Sequence, residues 1–270
     1  MYTQEFEEVT AEYVETGFGH ACPAELDRLH TVEAMCDPFS TEWISELMPQ
    51  PTWECADLGA GAGSLARWLV TQVPNGSVTA TDIDTRFLAY NRSDLRIIEH
   101  DIRVDDFPPD CFDLIHLRLV LEYLPNPDTI VRRTVVWLKS DGWLVVEGVD
   151  LSAGAASPHP PVRKVVSAIL DHMRQATDSD IFVSRRAGPL MVDAGLSEID
   201  VRYQPLMIGD HGAVERCIVS TVDSLASVMV NAERITLDEL AEFRSWLELP
   251  GRFDVIGMLV WTCGRRRDIQ

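Results

Sequence analysis

Between residues 52 and 150 the chain alternates short apolar runs with segments whose apolar positions recur every three to four residues. TWECADL (52–58), SVTATDI (77–83), LRIIEHDI (95–102), FDLIHLRL (112–119) and WLVVEGV (143–149) have strand length, and several are rich in Val and Ile. Helical spacing marks 63–73, closed by the PNG turn at 74–76, and a short stretch near 84–91. It also marks 127–138, where Asn126 is the expected N-cap and Pro127 takes the first helical position. LKSDGW is expected to close that helix with a turn. Strand-helix-strand repetition of this kind predicts a parallel sheet with right-handed crossovers and helices on both faces.

The flanks are more helical. Before Pro49, Phe6, Val9 and Tyr13, then Leu26, Leu29 and Cys36, then Trp43 and Leu47 predict three short helices. After the loop SAGAASPHPP comes an amphipathic helix over 161–176, carrying Val162, Val165, Val166, Ile169 and Met173. A short helix near 185–194 ends at Gly195 and leads to the strand EIDVRYQPLMI. Helices over 212–231 and 236–249 follow, the second opened by the capping box Thr236 to Glu239, before the last strand, DVIGMLVWTCG. The expected organisation is one domain over 1–270, with a helical cap at 1–50, a core at 51–150, and inserted lid helices with a strand pair at 151–270.

Composition narrows the classes of function. Hydrophobic residues make up 46% of the chain and charged residues 24%, ordinary values for a globular protein. No stretch approaches the roughly 18 apolar residues that cross a bilayer. The acidic start, MYTQEFEEVTAEY, has no basic region followed by an apolar one, so the expected location is cytoplasmic. Net charge is -20, and the first fifty residues hold eleven Asp and Glu against Arg28 alone, a sum of -10. Such a field repels phosphate backbones, so neither nucleic acid nor an anionic membrane is an expected partner. The RRR at 265–267 reads as a solvated tail. Cys22, Cys36, Cys55, Cys111, Cys217 and Cys263 form no CxxC pair, so no metal site is expected and the thiols should be reduced.

The first strand runs into Asp57-Leu58-Gly59-Ala60-Gly61-Ala62-Gly63. This is GxGxG with a carboxylate two positions ahead of the first glycine, whereas the dinucleotide fingerprint is GxGxxG and receives a pyrophosphate. A carboxylate there repels pyrophosphate and attracts a cation. Asp82, with Ile83 beside it, ends the second strand where an acidic side chain accepts from ribose hydroxyls. Asp101 ends the third, placed to take a hydrogen bond from an exocyclic amine. A nucleoside with a positively charged tail, S-adenosylmethionine, fits these three sites.

ADLGAGAG, TATDID, the HDI at 100–102, FDLIHLRLVLEYLPNP and LKSDGWLVVEGVD follow one another in the order of the motifs of class I S-adenosylmethionine-dependent methyltransferases, which the chain resembles from about residue 50 to 150. The likeness is weaker at GLSEIDVRY and DVIGMLVWTCGRR. In detail it is similar to a group of bacterial, chiefly actinobacterial, small-molecule methyltransferases that share the RLVLEYLP-like segment and a helical amino-terminal cap. The resemblance implies an α/β fold, a doubly wound Rossmann-like seven-stranded sheet of order 3-2-1-4-5-7-6 with only the last strand antiparallel. It implies that Asp57, Gly59, Ala60 and Gly61 line the methionine end of the cofactor, that Asp82 and Ile83 hold the ribose, and that Asp101 and Ile102 border the adenine. Leu117 and Arg118 would lie just past the fourth strand, beside the cofactor. The implied reaction is in-line transfer of the methyl group to a small organic acceptor, a secondary metabolite such as an indole or a phenol, leaving S-adenosylhomocysteine. A homodimer through the amino-terminal helices is the expected assembly.

The sulfonium methyl is already electrophilic, so a catalytic base is optional and several residues compete for the role. Tyr13 either contacts cofactor or acceptor from a lid helix or is an aromatic anchor of the core. Arg118 binds a carboxylate of cofactor or acceptor, or forms a structural salt bridge. Glu122 and Asp150 accept a proton, or are solvated or capping carboxylates. His20 and His211 are the better-placed imidazole bases; His116 reads as a satisfied core residue, His100 as a border of the adenine pocket, and His30, His159 and His172 as surface. Asp84 reads as a helix cap before a second ribose ligand, and Gly63 as a close-packing position. Met173, Met207, Phe182 and Tyr203 are candidate acceptor walls. Two rival functions stay open: the same cofactor fold without methyl transfer, as a cyclase or binding protein, and a nicotinamide-dependent oxidoreductase, which the GxGxG loop disfavours.

Overall fold

Strands β1 (Glu54–Leu58), β2 (Ser77–Asp82), β3 (Leu95–Glu99), β4 (Phe112–Arg118), β5 (Leu138–Asp150), β6 (Leu196–Ile208) and β7 (Asp254–Arg266) form one mixed sheet in the order β3-β2-β1-β4-β5-β7-β6. The computed structural model describes residues 18–19, 22, 24–88, 94–177 and 180–267. β1 pairs in parallel with β2 and β4, β2 with β3, and β4 with β5. The chain therefore reverses its direction of travel between β1 and β4, and the loops after these strands share one edge, the place where open α/β sheets bind ligands.

Eight α-helices are defined among the described residues: α1 (Glu25–Glu46), α2 (Ser64–Gln72), α3 (Pro127–Trp137), α4 (Ser152–Ala155), α5 (Pro160–Thr177), α6 (Ala187–Asp193), α7 (Ala213–Asn231) and α8 (Leu237–Leu247). Strand periodicity of two sorts the central residues onto two faces. Ala56, Leu58, Ile115, Leu117, Leu144 and Val146 meet Ile130, Val131 and Trp137 of α3 and Leu190 and Met191 of α6 in one apolar core. Asp57, His116 and Glu147 fall on the opposite face.

The chain divides into two compact units, each discontinuous in sequence. One comprises Cys36–Gly148, Phe182–Tyr203 and Val260–Gln270 and contains the apolar core just described. The other comprises Met1–Met35, Val149–Ile181 and Gln204–Leu259. In it α5 packs on α4, α7 and α8, burying Val162, Val166, Val222, Leu225 and Phe243. All six cysteines are free, and Cys36, Cys55, Cys217 and Cys263 are buried. Among the described residues no helix is long and apolar enough to cross a membrane.

Several expectations need correction. The second and third amino-terminal helices are one helix, α1, which runs through Pro38. Proline removes a backbone donor and crowds the preceding turn, at a cost of about 3 kcal/mol. Burial offsets it: Cys36, Ser40 and Ile44, one turn apart, are each fully enclosed, and polar Ser40 disguises that stripe in the sequence. β5 starts at Leu138, so LKSDGW lies inside a strand. Phe112 faces Leu138 while Leu114 faces Trp143, and the surplus residues bulge at Asp141, which has φ 66°. Asn126 precedes α3 in a left-handed conformation without capping it by its side chain. The stretch near 84–91 holds a single 3-10 turn, Thr85–Phe87, with 89–93 outside the described residues. Arg265 and Arg266 belong to β7, and Arg265–Arg267 pair with Asp110, Asp141 and Glu198 instead of forming a solvated tail.

The capping box before α8 is formed in both halves: Thr236 Oγ1 accepts from the Glu239 amide at 3.2 Å, and Glu239 Oε2 accepts from the Thr236 amide at 2.9 Å. Thr236→Ala should cost about 1 kcal/mol, read as a lower urea midpoint, and Thr236→Ser should recover most of it.

Candidate functional site

β1 delivers its chain into a tight loop before α2. Gly59, Gly61 and Gly63 all have left-handed φ, 71°, 58° and 83°, a region that costs a side-chain-bearing residue about 1 kcal/mol or more. At Gly59 a Cβ would also run into Val120 Cγ2, which closes the loop from the end of β4. Leu119, beside it, has φ 55°, rare for a branched residue. The loop is pinned to β2 by two bonds: Ala60 N–H donates to the Thr81 carbonyl at 2.8 Å, and Gly61 N–H donates to Asp82 Oδ2 at 2.9 Å.

At the tips of β2 and β3 the predicted carboxylates are in place and already engaged. Asp82 is buried, with Oδ1 accepting a long 3.3 Å bond from the Asp84 amide. Ile83 beside it is half-buried. Asp84 caps its 3-10 turn as expected, accepting from the Arg86 amide at 3.1 Å. Asp101 is gripped by Arg103, Nε to Oδ1 at 3.0 Å and Nη2 to Oδ2 at 3.0 Å. Burial pushes the Asp101 carboxyl up, but the Arg103 hydrogen bonds and charge outweigh it and hold it below the usual carboxylate range. Ile102 is buried in the apolar core. His100 stacks on Phe107 at 4.6 Å between ring centres, and burial pushes its pKa down.

Beneath the glycine loop lies a polar network that the sequence reading missed. His116 Nδ1 is 2.8 Å from Asp57 Oδ1, and its Nε2 is 3.0 Å from Glu147 Oε1. Glu147 Oε2 accepts from Ser40 Oγ at 2.7 Å. Arg118 Nη1 donates to Asp37 Oδ1 at 2.8 Å and to Ser40 Oγ at 3.2 Å, and Nη2 to Ser64 Oγ at 3.2 Å. Burial pushes the His116 imidazole down, yet its hydrogen bonds with Asp57 and Glu147 outweigh burial and raise its pKa above the ordinary value. His116 is therefore a satisfied core residue, as expected, and Arg118 forms a structural salt bridge. Leu117, the next-to-last residue of β4, packs in the apolar core. The available signal was a polar residue breaking an apolar run in each of three strands.

The catalytic candidates separate. Tyr13 and His20 lie outside the described residues. Glu122, just past β4, is buried against Gly148 of β5, where any Cβ would collide with its Oε1. Ser184 flanks the same point, its hydroxyl buried with no partner among the described residues. Asp150 caps: Oδ1 accepts from the Ser152 amide at 2.9 Å and from its hydroxyl at 2.6 Å. His211 is exposed and bonded to Glu215 Oε1 at 2.9 Å. His172 is buried and bonded to Arg234, not the surface residue expected, and half-buried His159 packs on Trp246. Tyr203 and Met207 are exposed. Among the described residues no group of His, Cys, Asp and Glu could hold a metal ion.

Residues 56–146 match the family described as "Methyltransferase domain". The match takes in β1 through most of β5, about a third of the chain. Methyltransferase str3 of Strobilurus tenacellus is 27% identical over 155 residues, 56% of either chain. The ubiquinone biosynthesis O-methyltransferase of Albidiferax ferrireducens is 27% identical over 139 residues, 47% of this chain and 52% of that one. The chain thus spans about half the length of these curated relatives. Among solved structures, the plantazolicin methyltransferase BpumL in complex with SAH aligns over 98% of this chain and 99% of its own, with TM-score 0.53 and 12% identity. The phosphoethanolamine N-methyltransferase 2 of Haemonchus contortus, in complex with S-adenosyl-L-methionine, aligns over 82% of this chain and 50% of its own, with TM-score 0.54 and 15% identity. At these identities the structural neighbours share the Rossmann-like fold. The buried carboxylates at the tips of β2 and β3, Asp82 and Asp101, are acceptors of the kind that the hydroxyls and amine of a nucleoside need.

Gly59→Ala should destabilise the protein by about 1–3 kcal/mol through left-handed strain and overpacking, and adding Val120→Ala should relieve only the overpacking part, read by chemical denaturation. The raised pKa of His116 also fixes a pH trend. Stability from its charged form is complete below the ordinary value of 6.5 and is lost as pH rises through the raised native value. His116→Ala should cost about 3–5 kcal/mol at pH 6 by stranding buried carboxylates. The melting temperature of the wild type should fall toward alkaline pH more steeply than that of the variant.

Proposed function

We propose that this chain transfers the methyl group of S-adenosylmethionine to a small organic acceptor, releasing S-adenosylhomocysteine. The observation that carries the reading is the left-handed glycine loop locked onto Asp82 at the reversal point of a methyltransferase domain. Asp57, Gly59, Ala60 and Gly61 would face the methionine end, Asp82 and Ile83 the ribose, and Asp101 and Ile102 the adenine edge. When bound, the cofactor supplies a methyl group made electrophilic by its sulfonium. The protein's own contribution is to align the acceptor and exclude water, which is worth roughly 7–11 kcal/mol of barrier, and to accept a proton where the acceptor loses one.

Tyr13, His20, Glu122 and Asp150 are the proton acceptors of this proposal. Glu122 has the strongest setting among the described residues, a buried carboxylate just past β4 against Gly148 of β5. Asp150 is committed to Ser152. The O-methyltransferase among the relatives supports an acceptor hydroxyl, and a phenol of secondary metabolism precedes an indole on that ground. A homodimer through the amino-terminal helices completes the proposal.

Calorimetry should show S-adenosylhomocysteine binding and NADH ignored; the reverse result would overturn the assignment. Transfer of radiolabelled methyl to members of a panel of phenols and indoles tests the acceptor class, and a panel left unlabelled despite cofactor binding would favour a cyclase or binding protein. Asp82→Ala should weaken S-adenosylhomocysteine binding by about 1–3 kcal/mol. Glu122→Gln should lower kcat by about 100-fold with cofactor affinity unchanged; wild-type kcat would remove it from the chemistry.

A further inference from the structure

Two protons must lie between three buried groups on the face below the glycine loop. The His116 ring is fully enclosed, and each of its nitrogens faces one carboxylate oxygen, Asp57 Oδ1 at 2.8 Å and Glu147 Oε1 at 3.0 Å. An ionised carboxylate only accepts, and a neutral imidazole has a single N–H. Both contacts are hydrogen bonds only when each gap holds a proton. With a neutral ring and two ionised carboxylates, a buried nitrogen lone pair would face a carboxylate, a costly arrangement.

The surroundings favour the ring as the proton's place. Glu147 takes a second hydrogen bond from Ser40 on its other oxygen, and the two carboxylates together hold the enclosed imidazole's pKa above its ordinary value. The charged and titratable groups that face His116 are Asp57 from β1 and Glu147 from β5. Arg118 follows it on β4, and Asp37 and Cys36 of α1 lie against Arg118. With Asp57, Glu147 and Asp37 negative and His116 and Arg118 positive, the network carries one net negative charge. Its reach matters: Arg118 and Asp37 join Ser64 at the first turn of α2, so the network touches both ends of the glycine loop.

We propose that His116 is a positioning residue whose doubly protonated ring holds Asp57 in place under the glycine loop, so that the methionine end of the cofactor site is assembled only while the ring stays charged. This rests on the reading that Asp57 and the loop face the methionine tail. Loss of the ring proton breaks one of the two bonds, and the strand tips lose their fixed geometry. A purely electrostatic role would have the opposite sign at the ligand's ammonium, because removing a positive charge below that group strengthens its binding.

The first test needs no cofactor. In the full chain labelled with ¹⁵N-histidine, both ring nitrogens of His116, assigned by comparison with His116→Gln, should be protonated at pH 7.5; a singly protonated ring overturns the proposal. The second follows the Kd of S-adenosylhomocysteine from pH 6.5 to 9 by calorimetry. His116→Gln should bind roughly tenfold more weakly at pH 6.5, a loss on the scale of one hydrogen bond, with circular dichroism confirming its fold. In Glu147→Gln the amide can donate to Nε2, so a neutral ring still holds Asp57. Its affinity should decline less with pH than that of the wild type, while the ligand's own amino titration is common to both. Wild-type affinity that rises with pH, or identical profiles for the two proteins, overturns the positioning role. A doubly protonated ring in a wild type that binds no S-adenosylhomocysteine overturns the cofactor reading, and the role with it.

Discussion

The contact of His116 with Asp57 and Glu147 ties together β1, β4 and β5, the strands from which the rest of the sheet is built outward in both directions. Parallel strands are buried on both faces and usually carry continuous apolar runs. Placing an acid, an imidazole and an acid on one face of three neighbouring strands therefore restricts register more than apolar packing does. A slip by one residue would turn Asp57 or His116 into the apolar core on the other side. Through Ser40 and Arg118 the same contact reaches α1 and the start of α2, so the covering helices and the glycine loop are set by one system of bonds.

Charge at the strand tips is more balanced than a count of acidic residues suggests. Asp57 is met by His116, Asp101 by Arg103, and Asp82 by backbone amides of the loop and of Asp84. The net charge of -20 acts at longer range, and salt screens it within about 10 Å.

Local patterns were readable where one short stretch contains all the partners. The helix over 63–73, the capping box at Thr236 and Glu239 and the Asp84 cap needed only neighbours within a few residues. The sheet order came from resemblance, since periodicity does not say which strands adjoin. His116 was legible as a satisfied core histidine, but its partners lie 59 and 31 residues away in sequence, and Ser40 is 107 from Glu147. No local pattern encodes such contacts. The unbroken α1 and the bulged β5 were missed because proline, aspartate and glycine are strong local stop signals, here overridden by burial and by pairing on either side of the bulge.

The buried cysteines have a practical consequence. Burial pushes the thiols of Cys55 in β1 and Cys217 in α7 up, and a protonated, enclosed sulfur is inert to alkylating reagents. The two sit in different compact units of the chain. Their labelling rates are therefore separate internal clocks, each ticking only when its own surroundings transiently open, and they would reveal whether the two parts loosen in one cooperative event or independently.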